Sequence, residues 1–433
     1  MPSVAAAEFA ELNTRELLES MGTCKLVDTR LTDAFNGWPL DAIQRGGHIP
    51  GAVDFSARWL DMEHPEKNEV LTAALTAKGI TPDKHIVLYD TTGSDRLRVA
   101  RFLRQKGFRN LSLYHLNDWT NDPNLSMERY PRYHLLVPPI IVKSLLDGDR
   151  PETFAGSGSI KFAEVSWGHE KKSYAKGHVP TSFHINTDEV EPPPSYMLAI
   201  TDILKQFVQK YGFTKDDTVI LSDEDNIAAF RMAVILRYIG VQDVRVLNGG
   251  FQAWKRSGYE IETAYREPPR SAHWRFGTDI PANTIWIDTY QELLAHQKNT
   301  ATFALVDNRT WEEHIGKISG YSYHDKKGRI PGSLYGYAGT NGASALGFHR
   351  NIDDTMRNAN EIQNLWQNTG IDAKNKHLSF MCGSGWRAAE VLFYARVMGF
   401  ENTSLYSDGW IGWSNNPDNP IETGAPNSQS DPS

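Results

Sequence analysis

Short apolar runs recur along this chain, each followed by a polar or glycine-rich turn and then by a longer stretch with apolar residues at helical spacing. The fullest instance lies near the C-terminus. Leu378-Ser379-Phe380-Met381 reads as a buried strand and Cys382-Gly383-Ser384-Gly385-Trp386-Arg387 as a tight loop. Ala388, Val391, Leu392, Ala395 and Met398 then mark one face of an amphipathic helix. That helix should stop at Gly399, because glycine suits the left-handed position just past a helix end. Lys106-Gly107-Phe108-Arg109-Asn110 and Ile239-Gly240-Val241-Gln242-Asp243 stop two earlier helices in the same manner. Each stop leads into a strand: Leu111-Ser112-Leu113-Tyr114, Val244-Arg245-Val246-Leu247 and Thr403-Ser404-Leu405-Tyr406. A tryptophan follows each time, at Trp119, Trp254 and Trp413.

One unit is therefore written three times. Upstream, Leu26-Val27-Asp28-Thr29-Arg30 and Ala304-Leu305-Val306-Asp307-Asn308-Arg309 are strands ending in an acid with an arginine two places on. The second copy is looser there, Ala163-Glu164-Val165-Ser166-Trp167. A turn delivering a short strand comes next: Gly47-His48-Ile49-Pro50-Gly51, Gly177-His178-Val179-Pro180 and Gly328-Arg329-Ile330-Pro331-Gly332. His48 and His178 stand alone in these turns, so they read as structural hydrogen-bonding residues rather than ligands. Strands alternating with helices predict an α/β chain of three tandem domains, each a mostly parallel sheet flanked by helices. The boundaries fall at 8–131, 132–275 and 276–424. Pro131–Pro139 and Glu267–Pro281 serve as linkers, Glu191-Pro192-Pro193-Pro194-Ser195 as an extended surface loop, and 425–433 as a disordered tail.

Composition narrows the function. A length of 433 residues suits three domains of about 150 each. The net charge of −8, without a basic stripe, excludes a nucleic-acid partner. No apolar run approaches the ~20 residues of a membrane span. The two cysteines lie in different copies and make no disulfide framework, and Cys24, beside its strand, reads as an inert small residue. There is no Cys-x-x-Cys, no paired-histidine helix motif and no nucleotide fingerprint, so neither a metal nor a nucleotide is expected. Met1 to Ala7 lacks the charged and apolar regions of a signal peptide, although Val4-Ala5-Ala6-Ala7 has the small residues of a cleavage site. The compartment stays open: cytoplasmic as written, periplasmic if an export signal has been removed.

The chemistry sits in the third copy. Glycines let successive N–H groups of the Cys382 loop converge, and the helix N-terminus adds partial positive charge to the full charge of Arg387. A cysteine so placed is expected to ionise below the free thiol value of about 8.5 and to be a thiolate at neutral pH. Counting back from the helix-end glycines by the 17 positions that separate Cys382 from Gly399 aligns Cys382 with Asp223 and Asp90. Arg387 aligns with Ala228 and Asp95, and the second loop, Asp223-Glu224-Asp225-Asn226, is strongly acidic. A carboxylate repels an anionic substrate and cannot carry sulfur. Copies one and two should be inert, with the second expected to wall the third copy's pocket.

These residues resemble the rhodanese superfamily, specifically its three-domain tandem-repeat thiosulfate sulfurtransferases with one active cysteine in the last domain. Cys-x-x-Gly-x-Arg-Ala, here Cys382 to Ala388, is that family's active loop, and the Gly-His-Ile-Pro-Gly and Val-Asp-x-Arg segments are its secondary marks. The resemblance spans nearly the whole chain and implies ping-pong transfer. Cys382 would take the outer sulfur of thiosulfate or a persulfide donor and pass it to cyanide, a thiol or a carrier protein, with a covalent persulfide and no other cofactor. Gly383, Ser384, Gly385, Trp386 and Arg387 would form the loop that binds the donor. Arg387 is open to two uses, holding the donor or bracing the loop. Asp307 and Arg309 are expected beside the loop, read first as a salt bridge at a strand end. Phosphatase and arsenate reductase loops have five residues between cysteine and arginine; this one has four, a cradle too tight for a phosphoryl group. The competing class is a sulfur-relay scaffold that docks a cysteine desulfurase or sulfur-carrier protein with little small-molecule turnover.

Overall fold

The computed structural model describes residues 8–156, 158–224, 227–271, 276–277, 279–340, 342 and 346–426. The tail from 427 onward, and Asp225 and Asn226 of the second loop, lie outside the described residues. Three five-stranded sheets form. The first holds β1 (Ala10–Leu12), β2 (Cys24–Asp28), β3 (Val53–Asp54), β4 (His85–Asp90) and β5 (Leu111–His115). The second holds β6 (Leu136–Val137), β7 (Ile160–Ser166), β8 (Phe183–Asn186), β9 (Thr218–Ser222) and β10 (Asp243–Leu247). The third holds β11 (Ile287–Asp288), β12 (Phe303–Asp307), β13 (Leu334–Tyr335), β14 (His377–Met381) and β15 (Thr403–Tyr406). Their orders are β1-β5-β4-β2-β3, β6-β10-β9-β7-β8 and β11-β15-β14-β12-β13, one topology three times, and the pairs are parallel. The expected fold class is what forms.

The strands leading into the loops, β4, β9 and β14, lie in the middle of their sheets, which is why their runs are apolar almost throughout. From β12 the chain crosses to a strand on one side, β13, and from β14 to one on the other side, β15. The carboxyl ends of these two neighbours therefore make a switch point, where open α/β sheets bind ligands. Each sheet also has a two- or three-residue edge strand, β1, β6 and β11, too short to show an alternating pattern. Leu136–Val137, inside the segment read as a linker, is one of them and pairs with β10.

Small repeated details hold each unit. The tryptophan indoles donate to the carbonyls of Ser126, Glu260 and Pro420 at 3.0, 2.8 and 2.9 Å, pinning the chain that leaves each repeat. His48 Nδ1 donates to Phe35 O at 2.8 Å and stacks on that ring, and His178 does the same with Tyr174, at 2.9 Å. Burial lowers both imidazole pKa values, as suits neutral structural histidines.

The chain divides into two compact units, one ending at Tyr133 and the other starting at His134, so the second and third sheets share a unit. Within it the loop helix Trp386–Val397 packs along its counterpart Ile227–Ile239, with Phe230 against Phe393 and Tyr394 at 5.3 and 5.2 Å between ring centroids. The loop helix was expected to be amphipathic, yet it is buried on every side from Arg387 to Val397. The counterpart helix covers the face that a lone domain would leave to water, and the polar residues there are paired: Glu390 with Arg350, Arg396 with Glu401.

Candidate active site

Cys382 follows the last residue of β14 and is 2% exposed. Trp410 and Ile411 donate their backbone N–H groups to the carbonyls of Cys382 and Gly383 at 2.8 and 3.0 Å, which turns the loop's oxygens away from its centre. Gly409 is needed for that approach: a Cβ there would stand 2.4 Å from Gly383 O, and its φ is +55°. Gly385, at φ +92°, leads into the loop helix. Ser384 is nearly buried in the loop. Among the described residues, the N–H groups of Gly385, Arg387 and Ala388 have no protein acceptor.

Copies one and two show what such a loop holds. In copy one the Asp90 carboxylate accepts from the N–H groups of Gly93, Asp95 and Arg96 at 2.9, 2.8 and 3.2 Å, the positions of Gly385, Arg387 and Ala388. In copy two Asp223 accepts from Ala229 N at 2.9 Å, again the Ala388 position. The cradle is an anion site built of amides at a helix N-terminus.

Arg387 takes the bracing alternative. It is fully buried and donates to both carboxylate oxygens of Glu313 at 2.8 and 2.9 Å and to Tyr321 Oη at 2.6 Å. Burial alone would raise the Glu313 carboxyl, but the Arg387 contacts outweigh it and hold it below its usual range. The arginine's charge is thus matched by Glu313, and the positive polarity facing Cys382 comes from amides and the helix end rather than from a free cation. Asp307 and Arg309 form the expected salt bridge, at 2.9 and 2.8 Å, and His314 Nδ1 donates to Asp307 at 2.8 Å. Burial would raise Asp307; Arg309 and His314 overcome it and hold the carboxyl well down. Asn308 N donates to Met381 O at 2.7 Å, which places this strand end directly beside the loop.

The sequence reading missed four residues. Tyr321 lies over the loop: a Cβ on Gly383 would stand 1.9 Å from its hydroxyl. Glu313 begins in a capping box with Thr310 and ends on Arg387, a pairing across 74 positions that no local pattern announces. Glu191 and Arg231 come from copy two. Glu191, in the proline-rich loop read as surface, is buried; it accepts from Arg231 at 2.9 and 2.6 Å and from Trp386 Nε1 at 2.9 Å. Trp386 is thereby tied to the neighbouring copy. From Tyr321 a line of rings runs outward through Tyr323, Tyr196 and Trp167, with centroid spacings of 5.6, 5.7 and 6.2 Å. Burial raises the phenol of Tyr323, and a negative charge on Cys382 adds to the rise.

Cys24 is free, like Cys382, and burial pushes its thiol up, away from reactivity. A cavity of about 250 Å³ lined by Trp366, Ile371 and Phe400 lies at the start of β14, the end away from Cys382. Among the described residues no cluster of three or more histidine, cysteine or acidic side chains could hold a metal, and no helix is long and apolar enough to cross a membrane.

The rhodanese-like domain family matches residues 13–121, 155–257 and 289–416. Over 422 residues the chain is 36% identical to the thiosulfate sulfurtransferase YnjE of Escherichia coli (strain K12), covering 97% of this chain and 93% of that protein. A 3-mercaptopyruvate sulfurtransferase of the same organism is 25% identical over 256 residues, 58% of this chain and 85% of that protein. Among solved structures, EanB in complex with ergothioneine superposes with a TM-score of 0.89 at 34% identity, over 97% of this chain and 100% of that one. An anaerobic ergothioneine biosynthesis enzyme from Chlorobium limicola, solved with trimethyl histidine, gives 0.88 at 34%, over 96% and 100%.

Proposed function

The chain belongs to the rhodanese-like family and is a sulfurtransferase, and from that premise we propose that Cys382 carries sulfane sulfur from thiosulfate, or a persulfide donor, to a thiophilic acceptor. The Cys382 thiolate attacks the outer sulfur of thiosulfate; the sulfur–sulfur bond breaks, and its electron pair leaves with sulfite. A persulfide anion remains on Cys382. The acceptor, cyanide in the simplest case, attacks the terminal sulfur, leaves as thiocyanate and returns the thiolate. Sulfite needs no proton to depart, so no general acid is required. The observation that carries this reading is the cradle: two copies fill it with a carboxylate, and the third presents a sulfur there with the same amides unclaimed. Those donors stabilise the charge that develops on the sulfur. Copies one and two, with aspartates in that place, carry no sulfur.

The line of tyrosines supports a second reading for the acceptor. Ring faces suit a quaternary ammonium cation, and EanB has been solved with hercynine and ergothioneine. A trimethylated histidine would sit with its cation among Tyr321, Tyr323 and Tyr196 and its ring toward Cys382.

One experiment addresses both. Intact-mass measurement after thiosulfate should show a gain of one sulfur atom, lost in Cys382→Ser and kept in Cys24→Ser. Cyanide, a thiol or trimethylhistidine is then added in separate arms, and the acceptor is the one that restores the original mass. A gain that survives Cys382→Ser overturns the assignment.

A further inference from the structure

Glu191 and Arg231 belong to a copy that carries no reactive cysteine, yet they reach the loop of the one that does. Both side chains are buried to 1%. Arg231 donates to Glu191 at 2.9 and 2.6 Å and, across the boundary between copies, to Ser407 Oγ at 2.6 Å. Its remaining amino group, Nη1, is buried without an acceptor and presses on the loop: a Cβ on Gly385 would stand 2.8 Å from it. The second oxygen of Glu191 accepts from Trp386 Nε1 at 2.9 Å. Trp386 is the first residue of the loop helix, and Gly385 and Arg387, its neighbours, supply two of the amides aimed at the cradle.

A matched arrangement faces the other way. Glu390 occupies in copy three the position of Arg231 in copy two, eight residues after the loop start. It pairs with Arg350 at 2.7 and 2.6 Å, so the same bridge recurs with its charges exchanged, Glu390 buried and Arg350 13% exposed. The segment that follows Arg350 lies against copy two, with Arg256 donating to Asp353 O at 2.7 Å and Asp353 O 3.2 Å from where a Gly249 Cβ would stand. Each copy thus ties its own long loop to its own inner helix and lays it against the other's loop region. Of these two bridges, the Glu191–Arg231 pair is the one that touches the cysteine-bearing loop.

We infer that copy two orients the sulfur-carrying loop of copy three, with Glu191 and Arg231 as positioning residues that act through Trp386 and Gly385. The inference rests on Cys382 being the sulfur carrier. Neither residue touches the reacting sulfur. They fix the entry of the loop helix, and hence the direction in which its first amides point, and small misorientations of such donors lower turnover more than they weaken binding.

The test compares Glu191→Gln, Arg350→Gln and Trp386→Phe in the full chain, each rate normalised to the folded fraction read from near-ultraviolet circular dichroism. Glu191→Gln and Arg350→Gln each take the counter-charge from a buried helix residue, Arg231 or Glu390, so a merely structural role moves them alike. The expectation is that Glu191→Gln and Trp386→Phe lower kcat for thiosulfate and cyanide by about tenfold with KM within about twofold, while Arg350→Gln stays within about twofold in both. The double variant Glu191→Gln/Trp386→Phe should be no slower than the slower single one, because both act through one contact. Equal rates in Glu191→Gln, Trp386→Phe and Arg350→Gln overturn the inference while leaving the carrier role of Cys382 intact. If Glu191→Gln does not fold, Trp386→Phe, which leaves the ion pair whole, decides alone. Sulfur uptake that persists in Cys382→Ser refutes the carrier reading instead, and is seen separately.

Discussion

At the end of β4, Asp90 gathers three backbone N–H groups onto its own carboxylate; at the end of β14 the corresponding amides have no protein acceptor, and Cys382 stands in the place of Asp90. The two loops share a topology, an apolar central strand and a left-handed glycine before the helix, Gly93 and Gly385. They differ in what lies behind. Copy one has Asp95 where copy three has Arg387, and burial together with Asp90 raises the Asp95 carboxyl. In copy three that position is a cation locked to Glu313 beneath Tyr321. The comparison separates the part of the site that is shared scaffold, an amide cradle that holds a carboxylate in copies one and two, from the part proposed to do the chemistry, the Cys382 thiol.

The strongest way to break the comparison is to exchange its members. Cys382→Asp should abolish sulfur uptake, seen as no mass gain with thiosulfate. It should also raise stability toward urea by about 1–3 kcal/mol, the scale of hydrogen bonds to a charged acceptor. Asp90→Cys should gain no sulfur, because Asp95 remains beside it.

A second variant, read in stability rather than in lost sulfur uptake, tests the support behind the loop. Glu313→Gln leaves Arg387 charged in a buried position and should cost about 3–5 kcal/mol in urea unfolding, as breaking one side of a buried pair does. A loss near zero would mean that Arg387 finds another partner.

The smallest concerns copy two, which keeps the acid of the strand end and lacks its arginine. Glu164 lies opposite Ser222, as Asp28 lies opposite Tyr89 and Asp307 opposite Met381, each partner being the residue before its loop. Burial pushes its carboxyl well above the ordinary value, only partly offset by the bond from Ser222. A carboxyl raised in the folded state favours folding below its unfolded pKa, and the advantage is lost as pH rises through the folded value. Glu164→Gln should therefore stabilise the chain at neutral pH, with a gain that shrinks toward pH 4 at no more than about 1.4 kcal/mol per pH unit. A gain independent of pH would count against a buried neutral acid.

Much of this was legible in the chain. The helix-end glycines Gly107, Gly240 and Gly399 adopt φ values of +94°, +129° and +93°, because the chain must reverse there without a Cβ in the way. The loop announced itself through glycines between a thiol and an arginine. Glu313, Tyr321, Glu191 and Arg231 did not, since a single acid, ring or base within a helix or loop has no local signature, and only the folded chain brings them to Cys382. The expected amphipathic helix failed for a related reason. Periodicity describes a helix facing one core, whereas Trp386–Val397 lies between two.

The hold of Trp410 and Ile411 on the carbonyls of Cys382 and Gly383 bears on speed as well as shape. With those oxygens already committed, the peptide dipoles of the loop are held in place; if Cys382 is the sulfur carrier, as proposed, they cannot swing when an extra sulfur arrives or departs. Solvent around a free thiol would have to reorganise at each half-reaction; on that reading the rearrangement was completed when the polypeptide folded, and the barrier to every later turnover would be lower by what it would have required.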